Sequence, residues 1–422
     1  MASTSTATFE KMLKVWYESG RVKLRAYEKN PTLALLPKAE DMRGKNRTVP
    51  MWYRTGQGVS ATFATAQNRI AAGGYENWVL TRVKGYGLGR LENEVIEASK
   101  GDKAAFMAAT AEIDGVFHQV TRDLAISVFR SANGARGVIG SIDSGDGTND
   151  RITLATRADI TNFEVGMWLT CSTGGTSAGI AGSPTAYVVS RIDRQAGQLY
   201  MGTAIGTAVN IVSDGWAAAD SLHREGDITT ASDTLKLSGF DEWIPSTAPT
   251  SGDSHFTVDR SVDVERLSGL RVDGSSMSVE DALLEGAAAL HEVGAMPDLV
   301  IMGPMQFKNL IRELGSKVQH DIVKSPDYAK IGFRSVKLYT AAGVMDVVPD
   351  HNCQADTAWM LTKNTWKLYS MGGAPRMLTY GPGDGARWLR VSDEDAVEYR
   401  VGWYGQLGCN APGHNARITL AS

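Results

Sequence analysis

Two short stretches near the carboxyl end contain residue types that bind metals or take part in catalysis. They read His351-Asn-Cys353 and Cys409-Asn-Ala-Pro-Gly-His414, and together they supply four nitrogen and sulfur ligands. Neither spacing matches a zinc ribbon or a zinc finger, so no metal site is predicted. Pro349 and Pro412 place both stretches in loops. A β-rich hydrolase with its site in the loops near His351 and His414 stays open as an interpretation.

Other chemical motifs are scarce. The sequence has no P-loop, no His-Glu-x-x-His and no Cys-x-x-Cys. Gly85-Tyr-Gly-Leu-Gly89 has the glycine spacing of a phosphate-binding loop, but no βαβ unit with a later acidic residue surrounds it. We interpret Gly85, Gly87 and Gly89 as a hinge between a β-hairpin and a helix. No catalytic residue and no cofactor is predicted.

Two acidic stretches are each open to a second interpretation. Asp143-Ser-Gly-Asp146-Gly-Thr-Asn-Asp150 is dense in oxygen ligands, but it lacks the spacing and the closing glutamate of an EF-hand. This difference favours a solvated turn. Asp393, Glu394 and Asp395 form either a carboxylate cluster or an acidic turn between two strands.

Length and composition predict a globular protein of two or three domains. The chain has 422 residues, of which 43% are hydrophobic and 21% are charged. No run approaches the roughly 20 apolar residues of a membrane helix, and the polar N-terminus carries no signal-peptide core. Cys171, Cys353 and Cys409 are odd in number and far apart. We therefore expect no disulfide framework and synthesis in a reducing cytoplasm.

The net charge of −4 conceals an asymmetry along the chain. Residues 1–60 contain eleven Lys and Arg against five Asp and Glu, whereas residues 138–240 contain six against eleven. The amino-terminal end could therefore meet a polyanion while the acidic segment faces away from it. A chance variation of solvated charge along the sequence explains the same counts.

The amino-terminal quarter has no periodic pattern that would give it a core. Residues 1–45 read as an extended arm with at most one short helix, and a neighbouring element is needed to order them. Residues 46–90 read as a β excursion, in which strands 48–54 and 60–64 flank a hairpin turn at Thr55-Gly-Gln-Gly58. A second extended run follows at 78–83.

A long amphipathic helix organises the remainder of the chain. The pattern from Asp102 to Ser131 predicts a helix of about 45 Å at 1.5 Å per residue. Its polar residues fall largely on the sides away from the apolar stripe. The stripe consists of Phe106, Ala109, Ile113, Val116, Phe117, Val120, Leu124 and Val128.

Beyond this helix the composition predicts a small β unit and then a mixed α and β region. Residues 138–225 read as a β-barrel or sandwich inserted into a larger fold, with strands at 151–155, 167–171, 186–192, 198–201 and 210–213. Ser278-Val-Glu-Asp281 begins a helix that ends at Gly294, and a second helix covers 305–314. Strands are predicted at 298–302, 336–339, 344–348, 358–361, 365–369, 388–391, 396–407 and 417–420.

Several segments in a fixed order carry a family resemblance. They are Phe129-Arg-Ser-Ala-Asn-Gly-Ala-Arg-Gly137, His223-Arg-Glu-Gly-Asp227, Leu237-Ser-Gly-Phe-Asp-Glu-Trp-Ile244, Phe256-Thr-Val-Asp-Arg-Ser-Val-Asp263, Leu267-Ser-Gly-Leu-Arg-Val272, Pro297-Asp-Leu-Val-Ile-Met-Gly-Pro304, Gln306-Phe-Lys-Asn-Leu310, Thr365-Trp-Lys-Leu-Tyr369, Tyr399-Arg-Val-Gly-Trp-Tyr-Gly-Gln-Leu-Gly-Cys-Asn-Ala-Pro-Gly413 and Ala416-Arg-Ile-Thr-Leu420. The ordered set resembles the major capsid proteins of tailed bacteriophages with the Hong Kong 97 type of fold. It covers nearly the whole chain, although no single motif is decisive.

The resemblance implies an α+β fold with named parts. Residues 1–45 would be the N-terminal arm and 46–90 the extended loop (E-loop) that overlaps an adjacent subunit. Residues 91–137 and 226–315 would form the peripheral domain with its spine helix, and 316–400 the axial domain. Residues 401–422 would be C-terminal strands that return to the peripheral domain. The β-rich segment 138–225 departs from the minimal family pattern and would be an insertion domain that faces outward.

The same resemblance implies a function and partners. The chain would assemble with itself into hexamers and pentamers of an icosahedral shell, in the host cytoplasm, and enclose double-stranded DNA by nonspecific contact. Further expected partners are a separate scaffolding protein, a portal and a decoration protein. No contact with a membrane is expected. The basic arm would face the lumen through the cations Lys11, Lys14, Arg21, Lys23 and Arg25. A carbohydrate- or host-binding module in 138–225 is the other alternative that stays open.

Overall fold

The computed structural model describes residues 30–94, 103–145, 150–176, 186–232, 234–315, 336–379 and 388–421, with the backbone alone for 103–111. Helices and strands alternate irregularly along these residues. The helices are α1 Pro31–Leu35, α2 Phe63–Asn68, α3 Lys103–Phe129, α4 Phe240–Trp243, α5 Val264–Ser268, α6 Val279–Glu292 and α7 Pro304–Leu314. The strands are β1 Lys38–Ala39, β2 Asn46–Arg54, β3 Gly74–Thr81, β4 Val83–Glu92, β5 Gly137–Asp143, β6 Arg151–Leu154, β7 Trp168–Ser172, β8 Tyr187–Asp193, β9 Gln198–Gly202, β10 Ser221–Arg224, β11 Ser254–His255, β12 Val258–Asp259, β13 Leu270–Gly274, β14 Leu299–Met302, β15 Val336–Thr340, β16 Gly343–Pro349, β17 Thr357–Leu361, β18 Trp366–Ser370, β19 Arg376–Met377, β20 Trp388–Arg390, β21 Ala396–Cys409 and β22 Ala416–Leu420.

The long helix α3 spans 27 residues, or about 40 Å, close to the predicted bounds. Its buried positions differ from the predicted single stripe. Every residue from 123 to 129 is buried, which includes Asp123 on the face predicted to be polar. The reason is that a β-sheet covers one side of this end of the helix while charged residues of the β unit meet the other.

The first sheet is built on the long strand β21. Strand β4 pairs along one edge of β21, and β18, β19 and β20 follow one another along the opposite edge. Strand β1 extends the sheet beyond β18 in a parallel arrangement. Helix α3 packs on this sheet, and the two elements share a core with Trp366, Tyr399 and Trp403.

The second sheet has six strands in the order β13-β22-β17-β14-β16-β15. Helix α6 packs on β13 and β22, and it begins where predicted because the Ser278 hydroxyl accepts a hydrogen bond from the Asp281 amide. Gly294 ends the helix at a φ of 84°, a conformation that glycine adopts without strain. The second core surrounds Leu283, Met360 and Ile418.

The described residues between 137 and 224 form a closed six-stranded barrel in the order β10-β5-β6-β9-β8-β7. Four of the strands predicted here are present, but the predicted strand 210–213 is replaced by a 3-10 turn, Val212–Asp214. Strands β5 and β10 escaped prediction because their sequences lack a clear alternation, and their pairing with each other is set by barrel closure. Phe163, Leu169 and Leu222 fill the interior.

The predicted hairpin of the β excursion was wrong in its second strand. Strand β2 pairs with β3, residue 46 against 81 through to residue 54 against 74, so the connection covers 55–73. The segment predicted as strand 60–64 contains the start of helix α2 instead. Strand β4 occupies the predicted hinge and continues directly from β3 through Arg82.

Two predicted domain boundaries do not follow the sheets. The second sheet takes β13 and β14 from 226–315, β15 to β17 from 316–400, and β22 from 401–422. Strand β21 itself runs across the predicted boundary between residues 400 and 401. Sheet pairing joins strands that are distant in sequence, so one sheet takes strands from all three predicted parts. The division into a peripheral and an axial domain stays a prediction.

Candidate functional site: an exposed hairpin on a buried root

The tip of the β2–β3 hairpin exposes large apolar side chains. Val59, Phe63 and Ile70 are exposed to 95%, 82% and 73%, and helix α2 has no buried residue. The whole connection 55–73 carries a single charged residue, Arg69. Exposed apolar groups concentrated in one place mark an interaction surface more often than scattered ones do.

The stem of the hairpin continues this apolar surface. Trp52 and Tyr75 face each other across the two strands, with ring centroids 5.9 Å apart and planes tilted by only 13°. Both rings are largely exposed. Val49 and Met51 lie on the opposite face of β2 and are buried in the first core. The stem therefore has one face anchored and one face free.

The root of the hairpin is held by aromatic packing. Trp78 is fully buried and meets Trp243 edge to face at 5.1 Å and His255 at 6.0 Å. The amide of Val79 donates to the carbonyl of Phe256. Burial lowers the pKa of His255 well below its usual value, with a further contribution from the charge of Arg260, so the ring is neutral in this setting.

A groove of about 300 Å³ lies beside the stem. Met51 to Thr55 line one wall, and Arg266, Val293 and the turn 410–414 line the other. The Arg266 guanidinium donates to the carbonyl of Tyr53 at 2.8 Å and ties the stem to helix α5. The hairpin is thus a projecting element with a fixed base.

The three glycines of the predicted hinge lie in a fully paired strand. Gly85, Gly87 and Gly89 alternate along β4 and stand opposite Trp403, Val401 and Tyr399 of β21. A Cβ at any of them would collide with a neighbouring side chain. This close approach, not a left-handed turn, explains glycine here, and motion about these residues stays a prediction.

A buried charge cluster joins helix α3 to the barrel. The Asp123 carboxylate accepts from Lys236 Nζ at 2.6 Å and from Arg136. Burial favours the neutral acid, but the charges of Lys236 and Arg136 outweigh it and hold the pKa of Asp123 well below its usual range. Arg130 pairs with Asp159 at 2.5 Å on the barrel, and Arg122 with Glu164. Sequence patterning missed this joint because its members are far apart in the chain.

The two stretches first considered as metal-binding or catalytic sites make contacts that stabilise the fold. Asp350, next to the exposed His351, accepts hydrogen bonds from the hydroxyl and the amide of Thr32 and so anchors helix α1. His414 lies in a turn, and its own backbone carbonyl accepts a hydrogen bond from the Thr362 hydroxyl. Burial raises the pKa of the Cys353 thiol well above its usual value. Burial likewise raises the pKa of Cys409 to about 12, so neither thiol is readily ionised.

Other sites named from the sequence are only partly described. Within the described ranges, no group of three or more His, Cys, Asp or Glu side chains could hold a metal ion. The loop 143–150 falls partly outside those ranges, and the arm cations Lys11, Lys14, Arg21, Lys23 and Arg25 fall wholly outside them. Residues 393–395 form an exposed link between β20 and β21, where Glu394 pairs with Arg90 at 3.2 Å.

One serine-hydrolase spacing escaped the sequence predictions. Gly175-Thr-Ser-Ala-Gly179 matches Gly-x-Ser-x-Gly, but a nucleophile elbow stands between a strand and a helix. Strand β7 instead leads into a 3-10 turn, Thr173–Gly175, on the barrel, and Ser177 lies outside the described residues. Among the residues that the structure describes, no helix is both long and apolar enough for a membrane span.

Comparisons with known proteins identify the fold. No family model and no curated protein sequence matches the chain. The Cyanophage A-1(L) capsid asymmetric unit superposes with a TM-score of 0.54 at 12% identity, over 96% of this chain and 96% of that chain. The capsid of the native GTA particle, computed with C5 symmetry, gives 0.48 at 10% over 100% of both chains. Mycobacterium phage Ogopogo gives 0.42 at 10%, also over 100% of both. The cyanophage match shows that this chain has a phage capsid fold.

Proposed function

We propose that the chain is a non-enzymatic major capsid protein, which self-assembles into the icosahedral shell around the double-stranded DNA genome of a tailed bacteriophage. The observation that carries the proposal is the fold shared with the Cyanophage A-1(L) capsid over 96% of both chains. A match over 96% of the chain supports the proposal that the hairpin, the long helix and both sheets are parts of one shell subunit. The virion capsid would be its location.

The exposed hairpin supports self-assembly. Phe63, Ile70 and Trp52 stay in water in a single copy, and burying each such side chain contributes about 1.5–3 kcal/mol. Their position on a projecting hairpin with a fixed base suits contact with a second copy of the chain. In this proposal the hairpin is the E-loop of a Hong Kong 97-type subunit, and 1–45 is its N-terminal arm.

The barrel supports the proposed insertion domain. Its strands close on themselves, so a barrel exposes no unpaired strand edge to neighbouring subunits. The ion pairs of Arg122 and Arg130 hold it against helix α3, the proposed spine helix. A scaffolding protein, a portal and a decoration protein remain proposed partners beside further copies of the chain.

Negative-stain electron microscopy of the purified full-length protein tests the proposal. We expect closed shells, or rings of five and six subunits, at concentrations where an ordinary enzyme stays monomeric. A discrete monomer that remains soluble at high concentration would contradict self-assembly. Hydrolysis of an ester or glycoside that depends on His351 or His414 would favour the hydrolase alternative instead.

A further inference from the structure

Positive charge collects at one end of the first sheet. The Met42 amide donates to the carbonyl of Ser370, and the Arg82 amide donates to the carbonyl of Lys45, so 42–45 lies beside this end of the sheet. Lys367 is exposed on β18, three residues before Ser370. We call these cations and their neighbours the basic band. Its members are Arg43, Lys45, Arg82, Lys84, Lys367 and Arg376.

Tyr404 of strand β21 lies at the centre of the band. The Arg82 guanidinium is 5.9 Å from the centroid of its ring, and the Tyr86 ring meets it edge to face at 5.8 Å. Burial and the hydrogen bond with Tyr86 raise the pKa of Tyr404, while the charges of Arg376 and Lys84 act in the opposite direction. The strand pairing agrees: Lys84 stands directly opposite Tyr404, and Arg376 stands opposite Gly402, two residues along β21.

Two carboxylates near this end of the sheet, Asp41 and Glu398, are paired with cations outside the basic band. Asp41 bonds Arg47 at 2.8 Å, and Arg47 itself lies over the Tyr369 ring. The buried Glu398 pairs with Arg90 and Arg400. No described carboxylate forms a salt bridge with any of the six cations of the basic band. Their charge is available to an external anion.

The cations stand on an open surface and not in a pocket. They come from the segment 42–45, the bend at Arg82, and strands β4, β18 and β19, which are neighbours or near neighbours around β21. Strands lie about 4.8 Å apart, so the band crosses roughly 10 Å of the sheet. Lys367 stands opposite Gly408 of β21 and Arg376 opposite Gly402, so along the strands the band extends about 20 Å. A folded acidic protein would need carboxylates matched to each position, whereas a polymer of evenly spaced charges would not.

We propose that the basic band binds the phosphate backbone of double-stranded DNA, and that this side of the sheet faces the packaged genome. The binding is independent of base sequence, because cations and tyrosine hydroxyls contact phosphates without reaching base edges. The proposal rests on the proposed function in one respect, the identity of the DNA as the enclosed genome. It extends the polyanion contact from the arm to a surface of the folded subunit.

The test measures how DNA binding depends on salt. Unassembled full-length chain is titrated onto a short fluorescent DNA duplex between 50 and 200 mM salt. The variant Arg82→Gln/Lys84→Gln/Arg376→Gln removes three phosphate contacts, so the slope of log affinity against log salt should fall by about 2.7. Between 50 and 200 mM salt, the loss of affinity for DNA should therefore be about 40-fold smaller in the variant than in the unaltered chain. The matched control is Lys308→Gln/Arg312→Gln/Lys337→Gln, three exposed cations on α7 and β15.

The outcomes separate this inference from the proposed function. An unchanged slope in the first variant, or an equal change in the control, overturns the basic band. Tighter binding of polyglutamate than of DNA by the unaltered chain assigns the surface to an acidic polypeptide and also overturns it. Microscopy of the same preparations reports on shells independently. DNA binding that depends on the band without any shells would leave the band in place and contradict the capsid proposal.

Discussion

Gly87 of strand β4 and Val120 of helix α3 are packed so closely that a Cβ on Gly87 would lie 2.5 Å from Cγ2 of Val120. Val116 Cγ1 would be 3.0 Å away on the same side. The helix therefore rests on bare backbone at Gly87, where a side chain of β4 would collide with the side chains of the helix. This contact accounts for Gly87, and the Trp403 and Tyr399 rings of β21 account in the same way for Gly85 and Gly89.

Replacing Gly87 with alanine should destabilise the subunit by about 1–3 kcal/mol, because an added methyl group overpacks the helix–sheet contact. Urea unfolding of the unassembled chain measures the change. The double variant Gly87→Ala/Val120→Ala should recover part of the loss, since the second change makes room for the first. Gly373→Ala serves as the control, because its nearest contact is Arg376 Cβ at 3.9 Å. The predicted hinge at Gly85, Gly87 and Gly89 would pivot if the proposed shell expands when the genome is packaged. Normal expansion of particles built from the Gly87→Ala/Gly89→Ala variant would count against this hinge.

Replacing Phe63 with serine should leave folding intact and impair assembly. The side chain is exposed to 82%, so the free energy of unfolding should change by less than about 0.5 kcal/mol. Loss of its contact with a second copy should raise the protein concentration at which shells appear, which light scattering and microscopy detect. Met296→Ser, at an exposed apolar residue outside the hairpin sequence, is the comparison. If the variant forms shells at the same protein concentration as the unaltered chain, the hairpin tip is not part of the interface.

Replacing Asp123 with asparagine should destabilise the subunit by about 3–5 kcal/mol. The change leaves the buried cations Arg136 and Lys236 without their shared carboxylate. Thermal or urea unfolding of the unassembled chain would detect the loss. Asp143→Asn is a matched control, because the Asp143 pair with Arg151 is exposed at 3.6 Å and contributes at most about 1 kcal/mol. Equal effects of the two substitutions would contradict the buried joint.

The acid stability of the unaltered chain should depend on Asp123. Its pKa is lower in the folded than in the unfolded state, where 3.8 is the ordinary value. The unfolded state therefore takes up the proton first, and stability present in full above that value is lost as the pH falls below it. The Asp123→Asn variant lacks the carboxylate, so it has no such contribution to lose as the pH falls. The difference in unfolding free energy between the two proteins should shrink below about pH 4.

The thiols of the folded chain should react slowly with a disulfide reagent at pH 8. Cys171, Cys353 and Cys409 are buried, and burial raises the pKa of Cys171 to about 12, with a smaller contribution from Asp220. Thiolate is the reacting form, so both access and ionisation oppose the reaction. All three should react at once in guanidinium chloride. A thiol that reacts rapidly before unfolding would show a local opening.

Local sequence patterns were sufficient for most individual elements. The hydroxyl of Ser278 capped helix α6 where predicted, and the apolar run before Gly303 formed the buried strand β14. These signals are short-range, because caps and period-2 or period-3.6 patterns act within a few residues. Helix α3 was placed within two residues at each end for the same reason. The family resemblance rested on the order of such segments.

Pairings between distant segments were decided by the tertiary structure. Nothing near Asn46 indicates that its partner is Thr81 beyond an intervening helix, and nothing near Asp123 indicates Lys236. Gly87 illustrates the difference. Its sequence context is compatible with a phosphate loop, a hinge and a paired strand. Its pairing with Val401 of β21 selects the strand, and the packing of Val120 against it requires glycine there. The sequence by itself determined elements and their order, whereas long-range contacts determined the joints, the sheets and the exposed surfaces.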